Sequence, residues 1–254
     1  MRAAVLGLGE AGSRYAADLA ASGWQVTGYD PAPVDTPQGV LRANSAAEAA
    51  AASELIIALT GASAAAAAAA SAAPVMRAGG CYADFNSASA AIKREVERAL
   101  ADVAPAVRMA DVAVLAPVGR SGAATPLLVS GPGGTQLADS LTALGTRVDV
   151  LDAPVGAAAD RKLLRSVFMK GLAAVVLEAD AAGRAAGCTE WVRDQMSAEF
   201  GPGGRDLIGR LIDGSARHAK RRHAEVAASR EYLRDLGVPA DVCDAALSWL
   251  SRLQ

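Results

Sequence analysis

Three glycines near the start of the chain, Gly7, Gly9 and Gly12, are the first residues with a chemically informative spacing. They stand between a short apolar run and an apolar helical pattern, the context in which Gly-x-Gly-x-x-Gly binds a dinucleotide. The first glycine permits a tight turn, the second lets a pyrophosphate approach the main chain, and the third lets helix and strand pack closely. Free amide groups at the helix start would bind the phosphates. The predicted cofactor-binding segment is Gly7, Leu8, Gly9, Glu10, Ala11 and Gly12.

An acidic residue follows where such a site needs one. Asp30 ends the predicted second strand, WQVTGYD at residues 24–30. A carboxylate at this place accepts hydrogen bonds from the ribose hydroxyls of NAD and repels the 2′-phosphate of NADP. The pattern therefore predicts NAD or NADP as the cofactor and favours NAD. The alternative is a plain glycine turn with a surface acid before Pro31.

Two lysines and a serine share one face of a later helical pattern. Lys162, Ser166 and Lys170 are spaced by four residues, so they form a polar stripe among apolar neighbours. A lysine in a partly desolvated cleft is suited to proton transfer. Lys162 is the candidate proton donor and Lys170 a candidate anion contact. The alternatives are a solvated lysine at 162 and a snorkelling lysine at 170.

Asn86 and Ser87 follow the apolar run CYADF, at the kind of strand end where doubly wound folds bind ligands. Asn86 would contact the nicotinamide side of a cofactor or a substrate hydroxyl. Either residue would serve equally well as a helix cap.

The elements that must position these residues alternate between strand and helix through about residue 153. This alternation is typical of a doubly wound parallel α/β sheet. The predicted strands lie at 2–6, 24–30, 54–60, 81–89, 107–117, 126–132 and 147–151, with helices at 11–22, 44–53, the alanine-rich stretch after 61, 92–103 and 135–143.

After Pro154 no convincing strand is found, and a long helical pattern at 160–187 precedes two further helices around 205–235 and 240–252. We therefore predict an N-terminal Rossmann domain at 1–153 and an all-α domain at 154–254, joined by the long helix.

The composition restricts the possible partners. The formal net charge is -2, so a nucleic-acid partner is not expected. The three cysteines show neither metal spacing nor a disulfide framework, which predicts no metal and fits the cytoplasm. No signal peptide or membrane span is expected.

The stretch GLGEAGSRYAADLAASGWQVTGYD resembles the opening of the β-hydroxyacid dehydrogenases, although Ala11 stands where that family usually has methionine. ALTGA at 58–62 is similar to the family's cofactor-facing loop, and DFNSAS at 84–89 to its turn after the next strand. The segment 156–187 resembles its interdomain helix. The form of the late segments is similar to a less characterised branch of proteins like 6-phosphogluconate dehydrogenase.

The resemblance implies a Rossmann fold and an NAD(P)-dependent dehydrogenase. It adds Leu59 and Thr60 to the cofactor contacts, assigns the catalytic lysine to Lys162, and assigns the position of its amide partner, usually asparagine, to Ser166. It also implies a homodimer formed through the C-terminal helices.

One loop departs from the family pattern. Where the family has Ser-Gly-Gly, whose amides hold the substrate carboxylate, this chain has Leu115, Ala116 and Pro117. Pro117 carries no N–H, so the usual carboxylate site cannot form. Arg120 or Ser121 is the candidate replacement.

The segment HAKRRHAEV at 218–226 concentrates basic residues and both histidines. A solvated or interface helix face is one interpretation, and a contact to an anionic substrate or the cofactor phosphate is the other. His218 and His223 do not share a face, so no metal is predicted.

The sequence thus predicts hydride transfer between a nicotinamide cofactor and a small hydroxy acid or its carbonyl counterpart, with an anionic substrate. The candidate substrate contacts are Ser87, Arg120 and Lys170. The alternatives are a catalytically silent dinucleotide sensor and an imine reductase on the same fold.

Overall fold

The computed structural model describes residues 1–254 and divides into two compact units, Met1–Asp160 and Arg161–Gln254. The boundary after residue 153 stays a prediction. No helix of the structure combines the length and apolar character needed to cross a membrane.

The first unit is built on one eight-stranded sheet with the order β3-β2-β1-β4-β5-β6-β7-β8. All neighbouring strands are parallel except β6 and β7, which are antiparallel. The predicted Rossmann architecture is therefore confirmed. The strands are β1 Arg2–Leu6, β2 Gln25–Tyr29, β3 Val40–Arg42, β4 Leu55–Ala58, β5 Cys81–Asp84, β6 Arg108–Val114, β7 Leu127–Ser130 and β8 Val148–Val150.

One strand was not predicted from the sequence. Val40–Arg42 pairs in parallel with β2 at the edge of the sheet, immediately after the proline-rich turn. The strand has only three residues, and Leu41 is 70% exposed. A segment so short and so open shows no hydrophobic periodicity, so it could not be told from a loop.

Helices cover both faces of the sheet. They are α1 Glu10–Ala21, α2 Ala46–Ala50, α3 Ala65–Ala72, α4 Ala90–Val103, α5 Val118–Ser121 and α6 Gly134–Thr142. Side chains along β1 alternate between two apolar cores, with Val5 in one and Leu6 in the other. The predicted small-residue helix is confirmed as α3, which buries Ala65, Ala69 and Ala72.

The second unit is entirely helical apart from its connections. Helix α7, Ala157–Ala185, begins in the first unit and is followed by α8 Thr189–Phe200, α9 Gly204–Arg217, α10 Ala219–Asp235 and α11 Asp241–Ser251. Helix α8 was not among the predicted helices.

The prediction of a single helix around 205–235 is wrong, because α9 ends at Arg217 and α10 begins at Ala219, with His218 between them. No proline or adjacent glycine marks the break. Leu211 packs in one apolar cluster and Val226 in another, so the two halves have separate apolar faces. Arg222 Nη1 donates to Ser215 Oγ at 2.7 Å across the break.

Candidate functional sites

Two of the three glycines in the first turn are required by the fold. Gly7 directly follows β1 and has φ +92°, and a β-carbon there would overlap the Leu59 carbonyl. A β-carbon on Gly12 would overlap the Gly7 carbonyl. These positions therefore bring the β1 turn, the first turn of α1 and the loop after β4 into close contact.

The fold does not require glycine at position 9. Its backbone, φ -65° and ψ -168°, suits any residue, and a β-carbon there would meet no atom within 4 Å. The space above Gly9 is open. Helix α1 begins at the next residue without a side-chain cap. Since the first amide groups of a helix have no partner inside it, this surface can bind an anion.

Asp30 orders the adjoining loops. Its Oδ2 accepts from the Leu8 amide at 2.7 Å and its Oδ1 from the Ala32 amide at 2.9 Å. A carboxylate has about four acceptor positions, so others remain for ribose hydroxyls. Arg42, from the unpredicted strand β3, donates to the carbonyls of Asp30 and Ala32 at 2.6 and 2.9 Å. The Arg42 guanidinium therefore lies against the loop that follows Asp30.

Asn86 is buried and fixes the loop after β4. Its Oδ1 accepts from the Gly61 amide at 2.7 Å, and its Nδ2 donates to Asp84 Oδ1 at 2.5 Å. In the same region the Leu59 amide donates to the Leu6 carbonyl at 2.7 Å. The structure therefore brings the glycine turn, Asp30, the Leu59–Thr60 loop and Asn86 together. Both ends of the Asn86 amide are engaged within the protein, so it supports the loop.

A buried ionic cluster lies behind Asn86. Lys93 Nζ is 3.2 Å from Asp84 Oδ2 and 3.3 Å from Asp111 Oδ1, and it donates to the Asp84 carbonyl at 2.7 Å. All three side chains are inaccessible to solvent. Burying a charge is costly unless it is paired, so the three residues depend on one another.

Asp111 also holds the first turn of α7. Its Oδ2 accepts from the amides of Gly156 and Ala159 at 3.0 and 3.2 Å and from Ser130 Oγ at 3.0 Å. Ser130 Oγ accepts in turn from the Ala158 amide at 3.0 Å. An anion at a helix N-terminus is favoured by the helix dipole. The start of α7 is thus fixed to the ends of β6 and β7.

The polar face of α7 in the second unit carries Lys162, Ser166 and Lys170, all partly buried. Lys170 Nζ pairs with Glu225 Oε2 of α10 at 2.9 Å. Burial would raise the pKa of Glu225, but Lys170, Arg221 and Lys162 together hold that pKa below its ordinary value. The face therefore combines three cations with one carboxylate.

The remaining predicted substrate contacts are exposed. Ser87 follows Asn86, and Arg120 lies at the end of the short helix α5. The Leu115 amide donates to the Pro126 carbonyl at 3.0 Å. Pro117 has no N–H. A substrate carboxylate therefore cannot be held by a main-chain amide at Leu115 or at Pro117.

Sequence reasoning missed four residues of these clusters, namely Asp84, Lys93, Asp111 and Glu225. The two aspartates had a usable signal, because each is a charged residue inside a largely apolar predicted strand, and in the structure they pair in register. Lys93 and Glu225 had none, since each lies on a charged helical segment and its burial depends on tertiary packing.

Comparison with known proteins identifies the class. Residues 2–138 match the family described as the NAD binding domain of 6-phosphogluconate dehydrogenase, and residues 184–253 match a domain of unknown function, DUF1932. The first match covers more than half of the chain. The chain therefore belongs to the β-hydroxyacid dehydrogenase family, as the resemblance predicted.

Individual proteins agree with this assignment. A conserved hypothetical protein from Sinorhizobium meliloti 1021 has a structure similar to this chain, with a TM-score of 0.76 and 27% identity over 99% of this chain and 87% of that chain. The 3-hydroxyisobutyrate dehydrogenase of Salmonella typhimurium gives a TM-score of 0.80 at 19% identity, over 99% and 93%, which shows the fold alone.

An uncharacterized 28.5 kDa protein in the 7S RNA 5′ region of Methanothermus fervidus is 25% identical over 154 residues. That match spans 61% of this chain and 58% of the relative. The chain thus has an NAD-binding domain of this family and shares the fold of the hydroxyacid dehydrogenases.

Proposed function

We propose that this protein is an NAD(P)-dependent oxidoreductase that interconverts a small hydroxy acid and its carbonyl counterpart, with Lys162 as the proton donor and acceptor. The observation that carries the nucleotide half of this proposal is the open space at Gly9 beside an uncapped helix start. Packing and backbone conformation account for Gly7 and Gly12 but leave Gly9 unexplained. A pyrophosphate seated on the main chain accounts for it.

The residues present fit a dinucleotide. The amides from Gly9 to Gly12 would hold the pyrophosphate, while the Leu8 amide stays bonded to Asp30. Asp30 would accept from ribose hydroxyls, and Leu59, Thr60 and Asn86 would shape the wall beyond them. We favour NAD, because the Asp30 carboxylate would repel a 2′-phosphate.

The chemistry divides between cofactor and protein. When bound, the nicotinamide supplies or accepts the hydride at the substrate carbon. In reduction, the Lys162 ammonium donates its proton to the carbonyl oxygen, which becomes the hydroxyl. In oxidation, neutral Lys162 removes that proton. Ser166, one turn later, would hydrogen-bond the same oxygen or the lysine.

The substrate is proposed to be anionic. Ser87, Arg120 and Lys170 are the candidate contacts, and Arg120 would replace the two amides that are not available at Leu115 and Pro117. A bidentate guanidinium is well suited to a carboxylate or a phosphonate.

We also propose that the protein acts as a homodimer in the cytoplasm. Leu164, Phe168 and Val175 fall on one side of α7, and they are 45%, 68% and 64% exposed. Exposed large apolar side chains grouped on one side of a helix are typical of a protein–protein interface.

The experiment that tests the nucleotide site is a thermal-shift titration of wild type and Gly9→Val with NADH and with NADPH. The added β-carbon meets no protein atom within 4 Å, so the melting temperature without nucleotide should stay near the wild-type value, while the nucleotide-induced shift should disappear. The matched control is Gly209→Val, another glycine with open space around it. An undiminished shift in Gly9→Val would overturn the site.

Turnover is then measured on a panel of hydroxy acids, keto acids, phosphonates and cyclic imines. The account predicts turnover of a hydroxy acid or keto acid. Turnover of imines alone would favour the imine reductase alternative, and binding without turnover of any of them would favour the silent sensor.

A further inference from the structure

The loop that follows β2 has few hydrogen-bond donors of its own. Three of residues 31–37 are prolines, which carry no N–H, and Asp30 and Ala32 each precede one of them. A residue before proline favours an extended backbone, so this stretch does not close into a helical turn. Donors for its carbonyls must therefore come largely from another part of the chain.

Arg42, the last residue of β3, supplies those donors. Its Nη2 donates to the Asp30 and Ala32 carbonyls at 2.6 and 2.9 Å, and its Nη1 donates to the Val34 carbonyl at 3.2 Å. The three acceptors alternate along the loop, so one planar guanidinium binds successive carbonyls on one side of it. A guanidinium carries its donors in a rigid fork, which suits it to fix several acceptors at once.

The Asp30 side chain is held within the same set of contacts. Its Oδ1 accepts from the Ala32 amide at 2.9 Å and its Oδ2 from the Leu8 amide at 2.7 Å. Because Arg42 binds the carbonyls of both Asp30 and Ala32, it fixes the two residues that the first of these bonds joins. The guanidinium, the loop and the carboxylate therefore form one connected set of hydrogen bonds that ends at the glycine turn.

Strand β3 and the glycine turn pack on the same residue of β2. A β-carbon on Gly28 would lie 3.0 Å from the Leu8 side chain and 3.2 Å from the Val40 side chain. Gly28 also pairs with Arg42 in the register of the sheet. This close packing fixes the position of the Arg42 main chain relative to the Leu8 amide that Asp30 binds.

We propose that Arg42 is a positioning residue that raises the preference for NADH over NADPH by holding the Asp30 carboxylate toward the ribose. This inference rests on the proposed function, in which Asp30 accepts hydrogen bonds from the ribose hydroxyls. A carboxylate already held in its bonding position loses little conformational entropy when the ribose binds. The same fixed charge cannot turn away from a 2′-phosphate, so it repels NADPH.

The most informative variant is Arg42→Lys, because it keeps the positive charge but lacks the planar fork. Calorimetric titration of the full chain should show that the dissociation constant of NADH rises by about tenfold. That of NADPH should stay within about twofold, so the ratio of the two constants moves toward NADPH. The matched control is Arg2→Lys, at an exposed arginine of β1 that donates to the Gln25 side chain at 3.0 Å, and it should leave both constants unchanged.

Two results of this titration would overturn the inference. One is an Arg42→Lys variant that binds both nucleotides as wild type does. The other is an Arg42→Lys variant that loses more affinity for NADPH than for NADH, which would indicate direct contact between Arg42 and the 2′-phosphate. In an Asp30→Asn background, Arg42→Lys should change the dissociation constant of NADH by less than about twofold, because its effect passes through the carboxylate. A full tenfold effect in that background would equally contradict the inference.

Hydrogen exchange measures the order of the loop without any nucleotide. The Leu8 and Ala32 amides both donate to Asp30, so their exchange should become about fivefold faster or more in Arg42→Lys and in Arg42→Gln. The Gly7 amide, which donates to a carbonyl of β2 at 2.7 Å, is the internal control and should exchange as in wild type. Arg42 is exposed, so neither substitution leaves a buried group unpaired and both variants should fold.

Unchanged exchange of the Leu8 and Ala32 amides in both variants would overturn the inference whatever the nucleotides do. Failure of the proposed nucleotide site is separate. It would appear as a wild-type protein that binds neither NADH nor NADPH, or as a Gly9→Val variant that binds them as wild type does.

Discussion

Lys93 and Asp111 form an ion pair of 3.3 Å in the interior of the first unit, where neither side chain is more than 1% exposed. The same aspartate accepts the amides of Gly156 and Ala159 at the start of α7. On the other side, Lys93 contacts Asp84, which in turn holds Asn86. One buried ammonium thus connects the loop fixed by Asn86 with the start of α7.

The first prediction concerns this pair. Lys93→Met should lower the free energy of unfolding by about 3–5 kcal/mol, because it leaves two buried carboxylates without a cation. Urea denaturation measures the change. Adding Asp111→Asn to that variant should restore part of the loss. Exposed Lys220→Met is the control, with a change within about 0.5 kcal/mol. Equal stability of Lys93→Met and wild type would mean that the cluster contributes nothing.

The second prediction concerns cofactor choice. Asp30→Asn removes the charge, and its single amide oxygen can accept from only one of the Leu8 and Ala32 amides. The ratio of the NADPH and NADH dissociation constants should therefore move toward NADPH by about tenfold, equivalent to about 1.4 kcal/mol. Isothermal titration calorimetry measures both constants. Asp35→Asn, exposed in the same loop, should leave the ratio unchanged. If the two variants behave alike, Asp30 does not discriminate between the cofactors.

Much of the fold could be predicted from local sequence. The glycine turn, the fully apolar strand β4 and the alanine-rich α3 each have a strong local pattern, and the structure confirms them. The edge strand β3 and the break at His218 could not be predicted, because both depend on packing against distant residues. Arg42 was missed for the same reason, although it binds the loop that contains Asp30.

The candidate site was less predictable than the fold. Asp30 and Gly9 could be singled out because their spacing matches the dinucleotide-binding pattern. Lys93 and Glu225 were missed because their importance comes from burial and from partners that are far away in sequence. Helical spacing predicted that Lys162 and Lys170 share one face of α7. It could not predict that Glu225 of α10 pairs with Lys170 on that face.

The third prediction concerns assembly. Phe168→Glu places a charge in the exposed apolar stripe of α7 and should convert a homodimer into a monomer. Size-exclusion chromatography with light scattering measures the mass. The control is Trp191→Glu on α8, at an aromatic residue that is also largely exposed (64%), and this variant should not change the mass. A wild-type protein that is monomeric at micromolar concentration would contradict the proposed dimer.

The account depends most directly on Lys162, and one comparison tests it: steady-state kcat of Lys162→Met against wild type, on the best hydroxy acid or keto acid of the panel. The account predicts that kcat falls by about 10²- to 10⁴-fold, the usual contribution of a general acid, while the nucleotide dissociation constant stays within about twofold. Lys220→Met should match wild type in both. A Lys162→Met enzyme whose kcat equals that of wild type would contradict the proposed mechanism.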